Sequence, residues 1–270
     1  MAVDKLVDSA QLNADLASVA NAIRTKGGTS VQLAFPAGFV SAVEAIETGG
    51  SAASLKDELF GHTPSGAVNY VPDENIPMYG IVGKRGITHL TLDFANGYGF
   101  ASSNSNGNNF RQNSIPIITI IGYGTGVWFP SYTFDGNSAS FIIVAKGNCT
   151  LASQNVFRGN SGLTLLDFTY TSGNGFGQNT FYGDSRFATL VIRSSSVMPL
   201  GNVNAFSNAT AFRNGGAGGT LYVPQALVNS YKASTNWSTI LGYGGGEQNK
   251  ILPIEGSIYE TQYADGTPIA

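Results

Sequence analysis

The sequence predicts a mainly β solenoid of parallel strands, about 24 residues per coil, with a small N-terminal two-helix module and a short C-terminal helical cap. Three observations carry that prediction: a phenylalanine recurring at near-constant spacing, a similar turn after each one, and a pair of apolar residues in the run that follows each turn. The phenylalanines are Phe110, Phe134, Phe157, Phe181 and Phe206, at intervals of 24, 23, 24 and 25 residues. The turns run Phe110 to Ser114, Phe134 to Ser138, Phe157 to Ser161, Phe181 to Ser185 and, more loosely, Phe206 to Thr210. Glycine suits positions of unusual φ, and Asn, Asp and Ser can hydrogen-bond nearby backbone, so one turn is rebuilt in every coil.

The strand pairs are Ile118/Ile120, Ile142/Val144, Leu166/Phe168 and Leu190/Ile192, aligned at a spacing of 24; Leu90/Leu92 and Leu221/Val223 extend the set with insertions. Residues two apart in a strand face the same way, so each pair is assigned to the interior. A coil this short cannot bury its apolar side alone, and neighbouring coils must stack. The solenoid is expected over residues 87–223.

Ahead of it, Leu12, Leu16, Val19 and Ile23 fall at helical spacing and end at Gly27 and Gly28. Phe35, Phe39, Val43 and Ile46 then mark a second short helix, closed by Gly49 and Gly50. Residues 1–50 therefore read as a helical docking module whose apolar faces pack on each other or on a partner. Residues 51–86, spaced by Pro64, Pro72 and Pro77, read as a connector with one strand near Ile81 and Val82. Residues 224–270 read as a cap and tail, with a short helix around 225–235.

Composition limits the function classes. Charged residues make up only 11% and the net charge is −3, so the clustered Lys and Arg that neutralise phosphates are missing and nucleic acid is not an expected partner. No apolar run is long enough to cross a bilayer, and the first residues lack the basic start and apolar stretch of a secretory signal. Cys149 is the single cysteine, which rules out an intrachain disulfide and a cysteine-built metal site.

Catalytic chemistry needs convergent titratable groups, and here they are sparse. His62 and His89 are the only histidines, one in the connector and one at the start of a strand, and both read as surface or satisfied polar residues. Cys149 reads as a small buried hydrophobe. The glycine-rich patches at 122–126, 173–177 and 242–246 neither follow a strand into a helix nor carry a phosphate-binding lysine, so they read as turns. No catalytic residue, metal site or cofactor is expected.

The outward sheet face is the candidate binding surface, formed by Thr119, Ile121, Phe141, Ile143, Leu165, Asp167, Thr169, Val191, Arg193 and Tyr222. Several of these are apolar where a solvated strand should be polar. An exposed apolar patch marks an interface. Two explanations stay open: the chain's own connector or C-terminal tail covers the face, or a partner subunit or ligand does.

The run containing Asn155, Phe157, Gly159, Asn160, Ser161, Leu163, Leu166 and Phe168 resembles the BspA-like class of leucine-rich repeats. The stretches from Pro199 to Phe206 and from Gly219 to Trp237 look like the C-terminal cap of such repeat proteins in Gram-positive bacteria and their phages. The opening segments, Val19 to Ser30 and Phe35 to Val43, resemble an N-terminal module of phage and prophage structural proteins. These resemblances imply a virion protein made in a bacterial cytoplasm. The N-terminal module would join other virion proteins, copies would form a homo-oligomer such as a trimer, and the solenoid would meet a host surface glycan or protein. A receptor-binding, tail-fibre or baseplate role is the leading expectation. A capsid decoration or head-fibre role is the near alternative, and a bacterial cell-surface adhesin is the alternative of another class. A glycan-cleaving enzyme ranks last, because it needs paired carboxylates across a cleft.

Overall fold

The computed structural model describes residues 16–21, 65–151, 154–173, 175–212, 219–240 and 251–269. The chain divides into two compact units, Met1–Leu55 and Lys56–Ala270. In the first, residues 16–21 are helical, with Ala20 buried, Leu16 half-buried and Val19 exposed. Leu12, Ile23, Phe35, Phe39, Val43 and Ile46 lie outside the described residues.

The second unit is a parallel β-solenoid. Its strands are β1 (Gly66–Tyr70), β2 (Ile87–Asp93), β3 (Ile117–Phe129), β4 (Phe141–Leu151), β5 (Leu163–Tyr170), β6 (Thr189–Arg193), β7 (Thr220–Val223) and β8 (Ile251–Pro253). They form one sheet in strict sequence order, every neighbouring pair parallel. Parallel neighbours need a long return connection, and a coil of about 24 residues supplies it.

The sheet extends beyond both expected limits of 87 and 223. β1 and the buried Ile81 lie in the stretch read as a connector, and β8 lies in the stretch read as cap and tail. Neither strand is legible because both are short: β1 has five residues and opens on Gly66 and Ala67, and β8 has three; the strand expected near Ile81 and Val82 is instead a turn that buries Ile81.

One interior ladder runs Leu90, Ile118, Ile143, Leu166, Leu190 and Leu221. The second runs Leu92, Ile120, Ala145, Phe168 and Ile192. All are buried. The assignment of Ile142 and Val144 to the interior is therefore corrected by one residue, since Ile143 and Ala145 point in. Nine residues separate Phe134 from Ile143, Phe157 from Leu166 and Phe181 from Leu190, but only eight separate Phe110 from Ile118. A uniform spacing counted from Ile118 carries that missing residue into β4, and a one-residue slip exchanges the faces of a strand.

Opposite the sheet, Phe110, Phe134, Phe157, Phe181 and Phe206 stack with successive centroid separations of 4.7, 5.3, 5.3 and 4.7 Å and near-parallel rings. Beyond β7, two short helices pack beside this stack: α1 (Val228–Ala233) and α2 (Thr235–Ile240). Trp237 is fully buried against Phe176 and Phe206, and its indole N–H donates to the Met198 carbonyl at 2.9 Å. The Tyr231 hydroxyl accepts from the Met198 N–H at 2.9 Å.

The turn residues form a buried ladder of their own. The side-chain oxygen of Asn113 accepts from the N–H of Lys84, that of Asn137 from Asn113, that of Asn160 from Asn137, and that of Asp184 from Asn160, at 2.8, 2.6, 2.9 and 2.6 Å. Each asparagine amide also donates to a backbone carbonyl, as Asn137 does to Phe134 and Asn160 to Phe157. The last member breaks the pattern. Asp184 has no amide to donate, and its Oδ2 is buried without a hydrogen-bond partner among the described residues.

Burial pushes the Asp184 carboxyl well above its usual range and the nearby Asp135 adds to this, against the opposing N–H of Asn160. A carboxyl whose pKa is raised on folding favours the folded state fully only below its unfolded pKa. That contribution is lost as pH rises toward the folded value. Asp184→Asn restores a donor, and it should raise the unfolding free energy at pH 7 by about 1–3 kcal/mol. Urea denaturation at pH 7 and pH 4 checks this, with the gain expected to shrink at the lower pH.

Candidate functional site

The outward sheet face is covered by its own chain. After β8, residues 254–269 turn back as a strap across the sheet. Ile254 and Tyr259 form a cluster with Val191, joined by Leu165, Tyr222 and Ala264. The Tyr222 and Tyr259 rings meet edge to face at 4.9 Å. This answers the question left open by the apolar face. Of the two explanations, the C-terminal tail covers it.

Farther along, the strap is held by charge. Asp167, wholly buried, receives a bidentate pair of hydrogen bonds from Arg193 at 2.8 and 2.9 Å, and the Ala264 N–H donates to it at 2.9 Å. Arg193 also donates to the carbonyls of Tyr259 and Gln262, and its guanidinium lies 4.7 Å from the centre of the Tyr263 ring. Burial raises the Asp167 carboxyl, while Arg193 and the Ala264 N–H pull it down.

The strap ends in a tight hairpin in which Tyr263 N–H donates to Thr267 O and Ile269 N–H donates to Thr261 O. Gly266, at φ 82°, supplies the left-handed residue that the turn requires. The hairpin places Asp265 on β3 and β4. Lys146 pairs with it at 2.8 Å and the Thr119 hydroxyl donates to it at 2.7 Å, while Lys146 also donates to the Thr267 hydroxyl. Burial alone would raise the Asp265 carboxyl, but hydrogen bonds from Lys146, Thr267 and Thr119 hold it at about 2. His89 Nε2 lies 2.9 Å from the Thr119 hydroxyl, whose proton already serves Asp265, so the ring nitrogen is the donor. Burial lowers the pKa of His89, with Asp265 opposing and Lys146 adding.

The ten candidate surface residues separate accordingly. Thr119, Leu165, Asp167, Val191, Arg193 and Tyr222 lie under or against the strap. Ile121 and Thr169 occupy outward positions and are half-buried. Phe141 and Ile143 are corrected to the interior. Ile143 pairs with Ile118 and Leu166 in the buried ladder, and Phe141 pairs with the buried Leu163 where β4 begins. The same one-residue offset explains both.

Little here points to reaction chemistry. Burial pushes the Cys149 thiol up to about 12, so its thiolate is suppressed. Among the described residues no group of three or more His, Cys, Asp or Glu could hold a metal ion. Among them, too, no helix is long and apolar enough to cross a membrane. A depression of about 140 Å³ beside Phe168 and Tyr170 is small for a ligand pocket, which typically measures about 300–1,000 Å³.

The turn edge groups two tyrosines around an arginine. Tyr132, Arg158 and Tyr182 come from three successive coils, and the Arg158 guanidinium lies between the two rings, 5.8 Å from one centroid and 5.4 Å from the other. Arg158 Nη1 donates to the Tyr132 hydroxyl at 3.3 Å. Comparison with family models, curated proteins and solved structures finds no match.

The residues that hold the strap, Lys146, Ala264, Asp265 and Thr267, were not singled out in the sequence. Two signals pointed toward them. Asp167 and Arg193 occupy charged positions on adjacent rungs of an otherwise apolar face, and Asp265-Gly266 is a hairpin dipeptide.

Proposed function

We propose that this chain is a non-enzymatic structural component of a phage particle, displaying a repeat-built binding surface in a receptor-binding, tail-fibre or baseplate role. The observation that carries the reading is that the described residues pack side chains on both faces of one continuous sheet, so that successive coils line up into an extended repeated edge. Such a body suits display of a surface to a large partner. The resemblance of the opening segments to phage structural modules supports particle attachment through residues 1–50. Repeated copies would add avidity to weak individual contacts. A homo-oligomer, such as a trimer, meets that need.

Immunolabelling of particles from the phage and host that carry the gene tests this reading. Full-length chain should label the tail or baseplate, and a chain lacking residues 1–50 should be missing from particles. Label on the head would move the assignment to capsid decoration or head fibres. Label on the envelope of uninfected cells, with none on particles, would replace the reading with a bacterial adhesin.

A further inference from the structure

We propose that the turn edge of the solenoid is a comb for an extended polysaccharide, made by Tyr79, Asn108, Tyr132, Arg158 and Tyr182. The starting observation is conformational. In five successive coils the residue two before the inward side chain, Ile81, Phe110, Phe134, Phe157 or Phe181, has a left-handed backbone: Tyr79 at φ 59°, Asn108 at 47°, Tyr132 at 62°, Asn155 at 59° and Asn179 at 58°. Asparagine enters that region at small cost, whereas a bulky tyrosine there is strained. Three coils make the turn with asparagine, so the fold does not require tyrosine in the other two. Strain kept where a cheaper residue serves elsewhere points to a use for the side chain.

The placement of the rings shows what that use is. Tyr79 N–H donates to Asn108 O and Tyr132 N–H donates to Asn155 O. The bonds Gly107 N–H to Ser131 O and Phe110 N–H to Thr133 O set Asn108 beside Tyr132. One coil therefore offers Tyr79, the next Asn108, the next Tyr132, the next Arg158 between its two flanking rings, and the next Tyr182. Rings alternate with polar groups. Rungs of a parallel sheet are about 5 Å apart, so the rings recur about every 10 Å. This is comparable to the advance of two sugars in an extended glycan.

The chemistry of the groups fits such a polymer. Tyr79 is 51% exposed, Tyr182 is 36% exposed, and the Tyr79 side chain has no partner among the described residues. Aromatic faces accept the C–H faces of pyranose rings, and amide and guanidinium groups between them can bond hydroxyls and an acidic substituent. Subsites repeated along a rigid body bind one chain at several points, which makes weak contacts cumulative.

This inference deepens the binding reading above and rests on it. The test uses the full chain on an array of purified bacterial capsule, wall and O-chain polysaccharides, with Tyr79→Asn and Arg158→Gln as variants. Retention of at least one polysaccharide is expected, weakened tenfold or more by either variant. Tyr79→Asn should at the same time leave the thermal midpoint unchanged or higher, because it removes the strain. No polysaccharide retained by the full chain, or equal retention by Tyr79→Asn, would overturn the proposal, as would a lowered midpoint with unaltered binding. Particle labelling with the Tyr79→Asn chain separates the two readings: it should persist when the comb fails, and it is lost only if particle attachment itself is misassigned.

Discussion

Phe157→Ala should lower the unfolding free energy of the solenoid by about 3–5 kcal/mol, the range for deleting a large buried aromatic side chain. Phe157 is fully buried and stacks on Phe134 and Phe181 at 5.3 Å each, so its loss opens a void between two coils. The strands on the opposite wall are held by parallel backbone pairing from Ile142 through Ala145 on one side and from Leu165 through Thr169 on the other, so little can move to fill it. Repeat proteins draw their stability from contacts between neighbouring units, and a void at the middle of the stack weakens two such interfaces at once. Denaturant unfolding of wild type and variant measures the loss. A variant at the end of the stack, Phe110→Ala, should cost less if its neighbours can collapse toward it. A loss below 1 kcal/mol at Phe157 would mean that the stack is not the spine of the fold.

Arg193→Met should cost a similar amount, about 3–5 kcal/mol, for an electrostatic reason. Removing one partner of a buried pair leaves the other charge uncompensated. Asp167 is wholly buried, and without Arg193 it keeps only the Ala264 N–H as a strong donor. The strap also loses the two bonds that Arg193 makes to the carbonyls of Tyr259 and Gln262. The pH dependence has a definite sign. With Arg193 gone, burial raises the Asp167 carboxyl further, so stability should fall as pH rises from acid toward neutral, more steeply than in the wild type. Replacing both members, Asp167→Leu with Arg193→Met, should recover much of the loss, because an apolar pair of similar volume needs no compensating charge. Urea titrations at pH 4 and pH 7 distinguish these outcomes, and proteolysis near residues 254–269 reports whether the strap has lifted.

Both predictions rest on features of unequal visibility in the sequence. The phenylalanine stack was legible because burial repeats with the coil: a residue that must face the axis returns once per turn, whatever the rest of the chain does. The turn was legible for the same reason, although the continuous bonding from Asn113 through Asn137 and Asn160 to Asp184 appears only once the coils are superposed. The interior set was right in β2, β3, β5 and β6 and one residue out in β4. Counting nine residues from the nearest phenylalanine sets β4 right but puts β3 one residue out, so no single spacing along the chain yields the whole interior set.

By itself the sequence determined that this chain stacks coils of about 24 residues, because a short unit with one apolar side can bury that side only against a copy of its neighbour. Only the tertiary structure decided which surface is left free. The bond from Ala264 to Asp167 joins residues 97 positions apart, and the bond from Thr119 to Asp265 joins residues 146 apart. No period along the chain encodes such contacts. The outward face is apolar because the chain's own tail lies on it, and a side chain's hydrophobicity records that something covers it without recording what.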